Sequence, residues 1–215
     1  MQTPLALDVD RLLPADPATR EIAHKLLDLV EALPIISPHG HVEAALLRDD
    51  EAFPDPATLL ITTDHYVTRL IHASGVSLDR LGKGVTPASP REVWREFCRA
   101  WPLFEGTASG YWLRSEFTSI FKLREEISEE TADRSYDEIA DILQRPEFRP
   151  RALFADFGIE VLATTDDPLD SLDAHRELAA DPTVTGRVLP TFRPDAYLNL
   201  YTPGWNEKVE LLVAT

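Results

Sequence analysis

The sequence has a single cysteine, Cys98, among its 215 residues, so no disulfide can form within the chain. Nothing in it therefore requires an oxidising compartment, and we expect a cytoplasmic protein. Long apolar runs are also lacking, since no segment approaches the roughly 20 apolar residues that a membrane-spanning helix needs. The first residues show neither the basic segment nor the apolar run of a secretory signal, which predicts a protein that is not exported.

Basic side chains are scarce. Lys and Arg total 21 against 37 Asp and Glu, and the formal net charge is −16 at pH 7. A chain of this charge repels nucleic-acid phosphates and anionic lipid headgroups, so we expect no nucleic-acid partner and no membrane partner. Hydrophobic residues make up 44% and charged residues 27%, proportions that exclude a disordered or fibrous protein.

Glycine is also scarce relative to proline, with nine glycines and 17 prolines, and many prolines stand where a helix would begin. Residues 17–33 repeat apolar side chains at helical spacing and predict an amphipathic helix. A second helix is predicted to start at Thr63 or Asp64 and to end at Gly75. Residues 89–92, Ser-Pro-Arg-Glu, have the pattern of a capping box before a third helix.

Three short apolar segments predict β-strands: Ile35–Ser37, Ile159–Ala163 and residues 187–191. The first is bounded by prolines and is predicted to be a buried strand. Helical signals dominate residues 43–149, between the first and second strands, and helices also follow the second and third. Strands that alternate with helices predict an α/β fold of parallel units, whose functional groups lie where strands end.

The segment His39-Gly40-His41 directly follows the first predicted strand. Residues two apart on an extended chain project to the same side, so both imidazoles can converge on one divalent metal ion. Two histidines supply only half of a zinc shell, and the same pair also suits Mn²⁺, Fe²⁺ or Co²⁺. The alternative interpretation is a polar loop whose histidines have no ligand.

Polar side chains also cluster at the start of the helix predicted after Thr63. His65 and Tyr66 lie four and three residues before Arg69, so all three can share one helical face. Together they can hold an anionic, hydroxylated ligand, with the arginine at a carboxylate and the tyrosine as a proton carrier. An ordinary amphipathic helix with an acidic first turn explains the same residues without a ligand.

Two further strand ends carry charged residues. Arg193 directly follows the third predicted strand, where a positive charge can hold an anionic substrate. Asp166, at the end of the second strand, is a minor candidate, and Asp167 is interpreted as the cap of the next helix. Within that helix, His175 is predicted to lie at the surface or in a second layer behind the site. Trp112 is interpreted as core or interface packing.

The order of these motifs resembles a known family. The segments LPIISPHGH, TTDHYVTR, FRPRALFADFGIEVLATTDDPLDSLDAH and VLPTFRPDA are similar to the N-terminal portion of uronate isomerases, members of the amidohydrolase superfamily. The resemblance covers nearly the whole chain, and the motifs agree in identity, order and approximate spacing. It implies the N-terminal part of a distorted (β/α)8 TIM-type barrel: residues 1–215 as one incomplete domain, with residues 43–149 as a mostly helical insertion after the first strand.

The same resemblance implies a site and a reaction. Six residues match functional positions of the family: the metal ligands His39 and His41, the catalytic Tyr66, and the substrate-binding His65, Arg69 and Arg193. The implied cofactor is a divalent metal, expected to be Zn²⁺, and the implied partner is a small uronate. The implied activity is aldose–ketose isomerisation in hexuronate catabolism, converting D-glucuronate to D-fructuronate or D-galacturonate to D-tagaturonate.

The sequence departs from the family pattern in two places. The segment GYWLRSEF stands where many members carry Tyr-His-Trp ahead of a His-Leu-Glu run, and the later strands that supply an aspartate ligand and an arginine are absent. Two other functions therefore stay open: a metal-dependent hydrolase of the same superfamily, and a catalytically silent barrel fragment. Because three strands cannot close such a barrel, we expect exposed apolar faces, self-association and a homo-oligomer.

Overall fold

The computed structural model of the protein describes residues 5–214, within which ten α-helices and three parallel β-strands form. The strands are β1 Ile35–Ser37, β2 Ile159–Ala163 and β3 Arg187–Leu189. The helices are α1 Pro17–Val30, α2 Ala44–Asp49, α3 His65–Ala73, α4 Pro90–Ala100, α5 Ala108–Ser115, α6 Ala132–Leu143, α7 Pro150–Asp156, α8 Asp173–Ala180, α9 Asp195–Leu198 and α10 Trp205–Ala214. Helices and parallel strands confirm the predicted α/β class. None of the helices in this described part is long and apolar enough to cross a membrane.

The chain forms two compact units. The helical unit contains the residues up to Ala23 together with Ala52–Phe148, and therefore α3 to α6. The sheet unit contains His24–Glu51 and the residues from Arg149 onward, and therefore all three strands. The predicted metal-binding residues and Arg193 belong to the sheet unit, whereas the predicted catalytic Tyr66 belongs to the helical unit.

Helices of the helical unit begin at side chains that satisfy free backbone N–H groups. The Asp64 carboxylate accepts hydrogen bonds from the backbone N–H groups of Tyr66 and Val67, at 2.6 and 3.2 Å, and so starts α3. Ser89 and Glu92 form a reciprocal capping box at the start of α4. Each such cap contributes about 1 kcal/mol to helix stability. Both predicted helix starts are confirmed.

Aromatic side chains form the centre of the helical unit. Phe97 on α4 is fully buried, and its ring centroid lies 5.2 Å from that of Trp94 and 6.2 Å from that of Phe117. The Trp94 indole N–H donates to the Ser135 hydroxyl at 3.0 Å, so the polar atom of this buried ring has a partner. Such aromatic pairs contribute about 0.5–1.5 kcal/mol each beyond the area they bury.

The sheet unit is organised by a parallel sheet with the strand order β1-β2-β3. Because the strands run in the same direction, their carboxyl ends meet at one edge, where residues 38–41, 164–167 and 190–193 follow them. β1 and β2 have the predicted bounds, but β3 ends at Leu189 and not at residue 191. Beyond Leu189, the Thr191 backbone N–H donates to the Asp166 carboxylate at 3.1 Å, so a side chain takes the next donor of the backbone ladder.

The prediction that β1 is buried was wrong. Ile35 is 46% exposed and Ile36 is 63% exposed, because β1 is an edge strand that pairs only with β2 among the described residues. The core of the sheet unit lies elsewhere and contains Ala44, Leu47, Phe154, Leu162, Leu178 and Val188. A short apolar run predicts a strand but does not reveal whether a neighbouring element covers its faces.

Candidate functional site

The two histidines that follow β1 face each other. His39 Nε2 and His41 Nε2 lie 3.1 Å apart, their rings are nearly perpendicular, and both side chains belong to exposed residues. Two nitrogens bound at about 2.0–2.1 Å to one tetrahedral ion lie about 3.3 Å apart, so this pair is close to the separation that a shared ion imposes. The two imidazoles fit the role of two ligands to a divalent metal.

The loop between these histidines is attached to the end of β2. The Thr165 hydroxyl donates to the Gly40 carbonyl at 2.6 Å. A Cβ atom at Gly40 would lie 3.2 Å from the Ala163 carbonyl and 3.3 Å from a methyl group of Leu162, so glycine permits this close approach. The histidine pair is therefore positioned by the sheet and not only by its own short loop.

Other metal ligands are not assembled around this pair. Within residues 5–214, no set of three or more His, Cys, Asp or Glu side chains has an arrangement that holds a metal ion. A cleft of about 560 Å³ does open beside the pair, and its lining includes His41, Arg48, Thr164, Asp166 and His175. The end of β2 therefore contributes polar groups next to the second histidine.

Arg193 lies just beyond β3, as predicted, and its side chain is 43% exposed. Its Nε–H donates to the Asp195 carboxylate at 2.9 Å, which leaves the terminal nitrogens of the guanidinium with donors for a planar anion. Asp195 is the first residue of α9, and its carboxylate orients the arginine. The structure thus brings His39, His41 and Arg193 to the same carboxyl-terminal edge of one sheet.

The prediction that Asp167 caps the next helix was wrong. It accepts hydrogen bonds from the Leu169 backbone N–H at 3.0 Å and from the Tyr197 hydroxyl at 2.6 Å, and α8 begins only at Asp173. The Tyr197 hydrogen bond, followed by the Leu169 bond, lowers the pKa of Asp167. This carboxylate joins the loop after β2 to helix α9.

His65, Tyr66 and Arg69 cluster at the start of α3. The ring centroids of His65 and Tyr66 lie 4.1 Å apart, and the Arg69 guanidinium carbon lies 4.9 Å from the Tyr66 ring centroid. Tyr66 is 46% exposed, whereas Val67 and Ile71 are fully buried. The helix thus has the polar and apolar faces that the spacing predicts, and a ligand can reach the phenol.

Sequence reasoning missed two neighbours of this cluster. Trp112 on α5 is 40% exposed, and its ring centroid lies 6.4 Å from that of Tyr66 in an edge-to-face arrangement. Glu116, one helical turn later, begins the π turn Glu116–Ile120. The only available signal was that both occur in GYWLRSEF, the segment that departs from the family pattern.

The Glu116 carboxyl has unusual surroundings. Its Oε2 is buried and has no hydrogen-bond partner within the described residues. Burial, together with the negative charge of Asp64, raises the pKa of Glu116 to about 7. The helical unit therefore holds a carboxyl that ionises near neutral pH, with the charge of Asp64, the residue that caps the Tyr66 helix, acting on it.

Comparison with known proteins identifies the family. Residues 16–215 match the family model described as glucuronate isomerase. The chain belongs to the glucuronate isomerase family. Among members of this family, it is 57% identical over 215 residues to the uronate isomerase of Corynebacterium efficiens, covering 99% of this chain and 46% of that protein. It is 50% identical over 209 residues to the uronate isomerase of Cutibacterium acnes, covering 95% and 44%.

Solved structures of glucuronate isomerase relatives have the same fold over the shared region. The glucuronate isomerase of Caulobacter crescentus superposes with a TM-score of 0.92 at 40% identity, covering 97% of this chain and 44% of that chain. The uronate isomerase of Thermotoga maritima gives a TM-score of 0.80 at 34% identity, covering 88% and 41%. This chain therefore spans less than half the length of the relatives that it matches.

Proposed function

We propose that this chain is part of a uronate isomerase, which interconverts aldose and ketose forms of uronic acids. The substrates would be D-glucuronate and D-fructuronate, or D-galacturonate and D-tagaturonate. The observation that carries this proposal is the family match over residues 16–215, together with a sheet edge that holds His39, His41 and Arg193. The curated relatives are themselves named uronate isomerases.

The proposed architecture follows from the strand order. We propose that β1, β2 and β3 are the first strands of a distorted (β/α)8 barrel, with residues 43–149 inserted after the first strand. The parallel order and the polar residues after each strand support this arrangement, because barrel enzymes place their sites at the carboxyl ends of the strands. We place the reaction in the cytoplasm, since the one cysteine calls for no oxidising compartment.

Isomerisation moves a proton between adjacent carbons through an enediol-like intermediate. It needs a group that takes the proton, a group that returns it, and stabilisation of a developing oxyanion. Tyr66 offers an accessible phenol for proton movement, with His65 and Arg69 beside it to bind sugar hydroxyls. Arg193 would grip the uronate carboxylate through the free nitrogens of its guanidinium.

His39 and His41 would hold a divalent metal ion, which we propose to be Zn²⁺. When bound, such an ion polarises the carbonyl and hydroxyl oxygens of a sugar. The two imidazoles fit this role through their facing Nε2 atoms, and the Thr165–Gly40 hydrogen bond keeps their loop against the sheet. The remaining ligands are not supplied by any cluster within residues 5–214.

The proposal is tested by ketose formation from D-glucuronate, measured with the purified chain in the presence of Zn²⁺ and again after chelation. We expect Tyr66→Phe to lower the rate about 100-fold, because it removes the phenolic proton. We expect Arg193→Met to weaken substrate binding about 100-fold, because a bidentate charged contact is lost. Tyr201→Phe and Arg187→Met are matched controls, since both side chains are exposed and neither belongs to the proposed site.

The other outcomes are equally informative. A rate that is indifferent to Tyr66→Phe and Arg193→Met removes these residues from the mechanism. Hydrolysis of an ester or amide without ketose formation indicates a metal-dependent hydrolase. A folded chain with neither activity nor D-glucuronate binding is a catalytically silent fragment, and the proposal is then wrong for this chain.

A further inference from the structure

A buried polar network lies behind the carboxyl ends of β2 and β3. We propose that Thr164, Asp166 and His175 are positioning residues that fix the chain immediately before Arg193. The hydrogen bonds of this network are features of the fold and do not depend on the activity of the protein. Its role in substrate binding rests on the proposed function, in which Arg193 holds the uronate carboxylate.

The direction of each hydrogen bond follows from the donors available. The Thr164 hydroxyl lies 2.6 Å from Asp166 Oδ2 and 2.7 Å from His175 Nε2. A carboxylate only accepts, and Asp166 Oδ2 is much nearer than the Leu189 carbonyl at 3.3 Å, so the hydroxyl donates its single proton to Asp166 and accepts from His175. His175 therefore carries a proton on Nε2, and the hydrogen bonds run in one direction from the histidine to the aspartate.

All three side chains are removed from solvent. Thr164 is 1% exposed and His175 is 8% exposed, and the Asp166 side chain is 14% exposed. Burying a hydroxyl, an imidazole and a carboxylate is unfavourable unless each has hydrogen-bond partners, so loss of one member leaves the others unsatisfied. The three residues consequently act as a unit and not as separate contacts.

The network reaches the segment that leads to Arg193. Asp166 Oδ2 also accepts a hydrogen bond from the Thr191 backbone N–H at 3.1 Å, and the Asp166 backbone N–H lies 3.4 Å from the Thr191 carbonyl. Asp166 and Phe192 form an isolated parallel β-bridge. These contacts hold the chain on both sides of Thr191, two residues before the arginine.

The regular sheet ladder ends before this segment, because β3 ends at Leu189. Beyond it, the Asp166 backbone N–H still donates to the Thr191 carbonyl, but the Thr191 N–H donates to the Asp166 side chain. The aspartate side chain therefore supplies an acceptor for the Thr191 amide at the end of the ladder, and Thr164 and His175 orient that side chain.

The test is a matched set of variants of the full 215-residue chain. Thr164→Val keeps the shape of the side chain and removes the hydroxyl, whereas Thr164→Ser keeps the hydroxyl. Thr165→Val is the control, because the neighbouring hydroxyl bonds to Gly40 and not to the network. The measurements are hydrogen exchange at the Thr191 amide and the NMR resonance of the Arg193 Nε–H group.

We expect Thr164→Val to speed exchange of the Thr191 amide about tenfold and to shift the Arg193 resonance. Thr164→Ser should restore the exchange rate of the Thr191 amide and the position of the Arg193 resonance. Thr165→Val should leave the exchange rate of the Thr191 amide unchanged. The inference is overturned if Thr164→Val leaves both signals unchanged, or if the serine variant fails to restore them. A general loss of packing would not be rescued selectively by a hydroxyl.

A second pair of variants, at His175, keeps the test decisive if Thr164→Val does not fold. His175→Leu removes the Nε2 donor, and His175→Gln keeps an N–H donor near the same position. We expect the Thr191 amide to exchange faster in His175→Leu, and to exchange in His175→Gln at a rate close to that of the unmodified chain. Equal exchange in the two variants would contradict the network.

Calorimetric titration with D-glucuronate separates the two proposals. If the unmodified chain binds the sugar, Thr164→Val should weaken the affinity about tenfold and Thr164→Ser should restore it. An unchanged affinity in Thr164→Val overturns the positioning role. If the unmodified chain does not bind D-glucuronate, the proposed function fails, while the exchange and Arg193 signals still decide whether the network exists.

Discussion

The helical unit and the sheet unit bury their apolar side chains to very different extents. In the helical unit, Trp94, Phe97, Phe104 and Phe117 are at most 1% exposed and belong to one continuous core. Within residues 5–214, the apolar core cluster of the sheet unit contains six buried residues, and no residue of α10 is buried. The strand-end residues of the candidate site thus lie in the less deeply packed unit.

The difference shows that apolar composition and burial are separate properties. Helix α1 has the amphipathic pattern of a packed helix, yet none of its residues is buried, and Leu26 and Leu29 are 59% and 73% exposed. Ile36 on β1 is exposed to a similar extent. Exposed apolar patches and unpaired strand edges favour association with other surfaces. Stability should therefore depend on the aromatic core and be largely indifferent to the exposed apolar residues.

The largest expected effect is in the aromatic core. Phe97→Ala should lower the free energy of unfolding by about 3–5 kcal/mol, because a fully buried ring leaves a cavity. Phe157→Ala is the matched control in the sheet unit, where the ring is 41% exposed, and it should cost less than about 1 kcal/mol. Urea unfolding followed by circular dichroism measures both, and equal costs would contradict the contrast between the units.

An intermediate effect is expected at Glu116 and depends on pH. The carboxyl ionises near its usual value of 4.5 in the unfolded chain and at about 7 in the folded one. Between these values only the unfolded chain loses the proton, so raising the pH through this window destabilises the protein. Glu116→Gln cannot ionise and should be about 1–2 kcal/mol more stable than the unmodified chain at pH 8.

The pH 4 measurement is the internal control for this variant. There the carboxyl is protonated in both states, so the stability difference seen at pH 8 should largely disappear. Thermal or urea unfolding at the two pH values measures it. A stability difference that is the same at pH 4 and pH 8 would show that the buried carboxyl does not titrate as the structure indicates.

The smallest expected effect is on the exposed face of α1. Leu26→Gln should change the free energy of unfolding by less than about 0.5 kcal/mol, because the side chain is already 59% exposed. It should reduce self-association, measured by sedimentation at several concentrations, because it removes part of an apolar patch. A loss of stability comparable to that of Phe97→Ala would mean that α1 is buried in solution.

Local features of the fold could be predicted from the sequence with good accuracy. The bounds of β1 and β2 and the capped starts of α3 and α4 are as predicted, since short apolar runs and capping side chains act over a few residues. The same holds for the facing imidazoles of His39 and His41, whose spacing alone places them on one side of an extended chain.

Features that depend on distant residues could not be predicted. The exposure of Ile36, the contact between Trp112 and Tyr66, and the raised pKa of Glu116 each require knowledge of what packs against the residue. Likewise, His175 was expected at the surface or in a second layer, and only the structure shows it bonded to Thr164. No local pattern encodes these pairings.

By itself, the sequence determined the α/β class, the strand ends that carry His39, His41 and Arg193, and a resemblance that the family comparison confirms. Hydrophobic periodicity, capping and strand geometry are local, so they can be read from neighbouring residues. Only the tertiary structure decided which apolar faces are buried and how the segment before Arg193 is held beyond Pro190. Burial and buried hydrogen bonds join residues far apart in the chain, and their energies exist only once those residues meet.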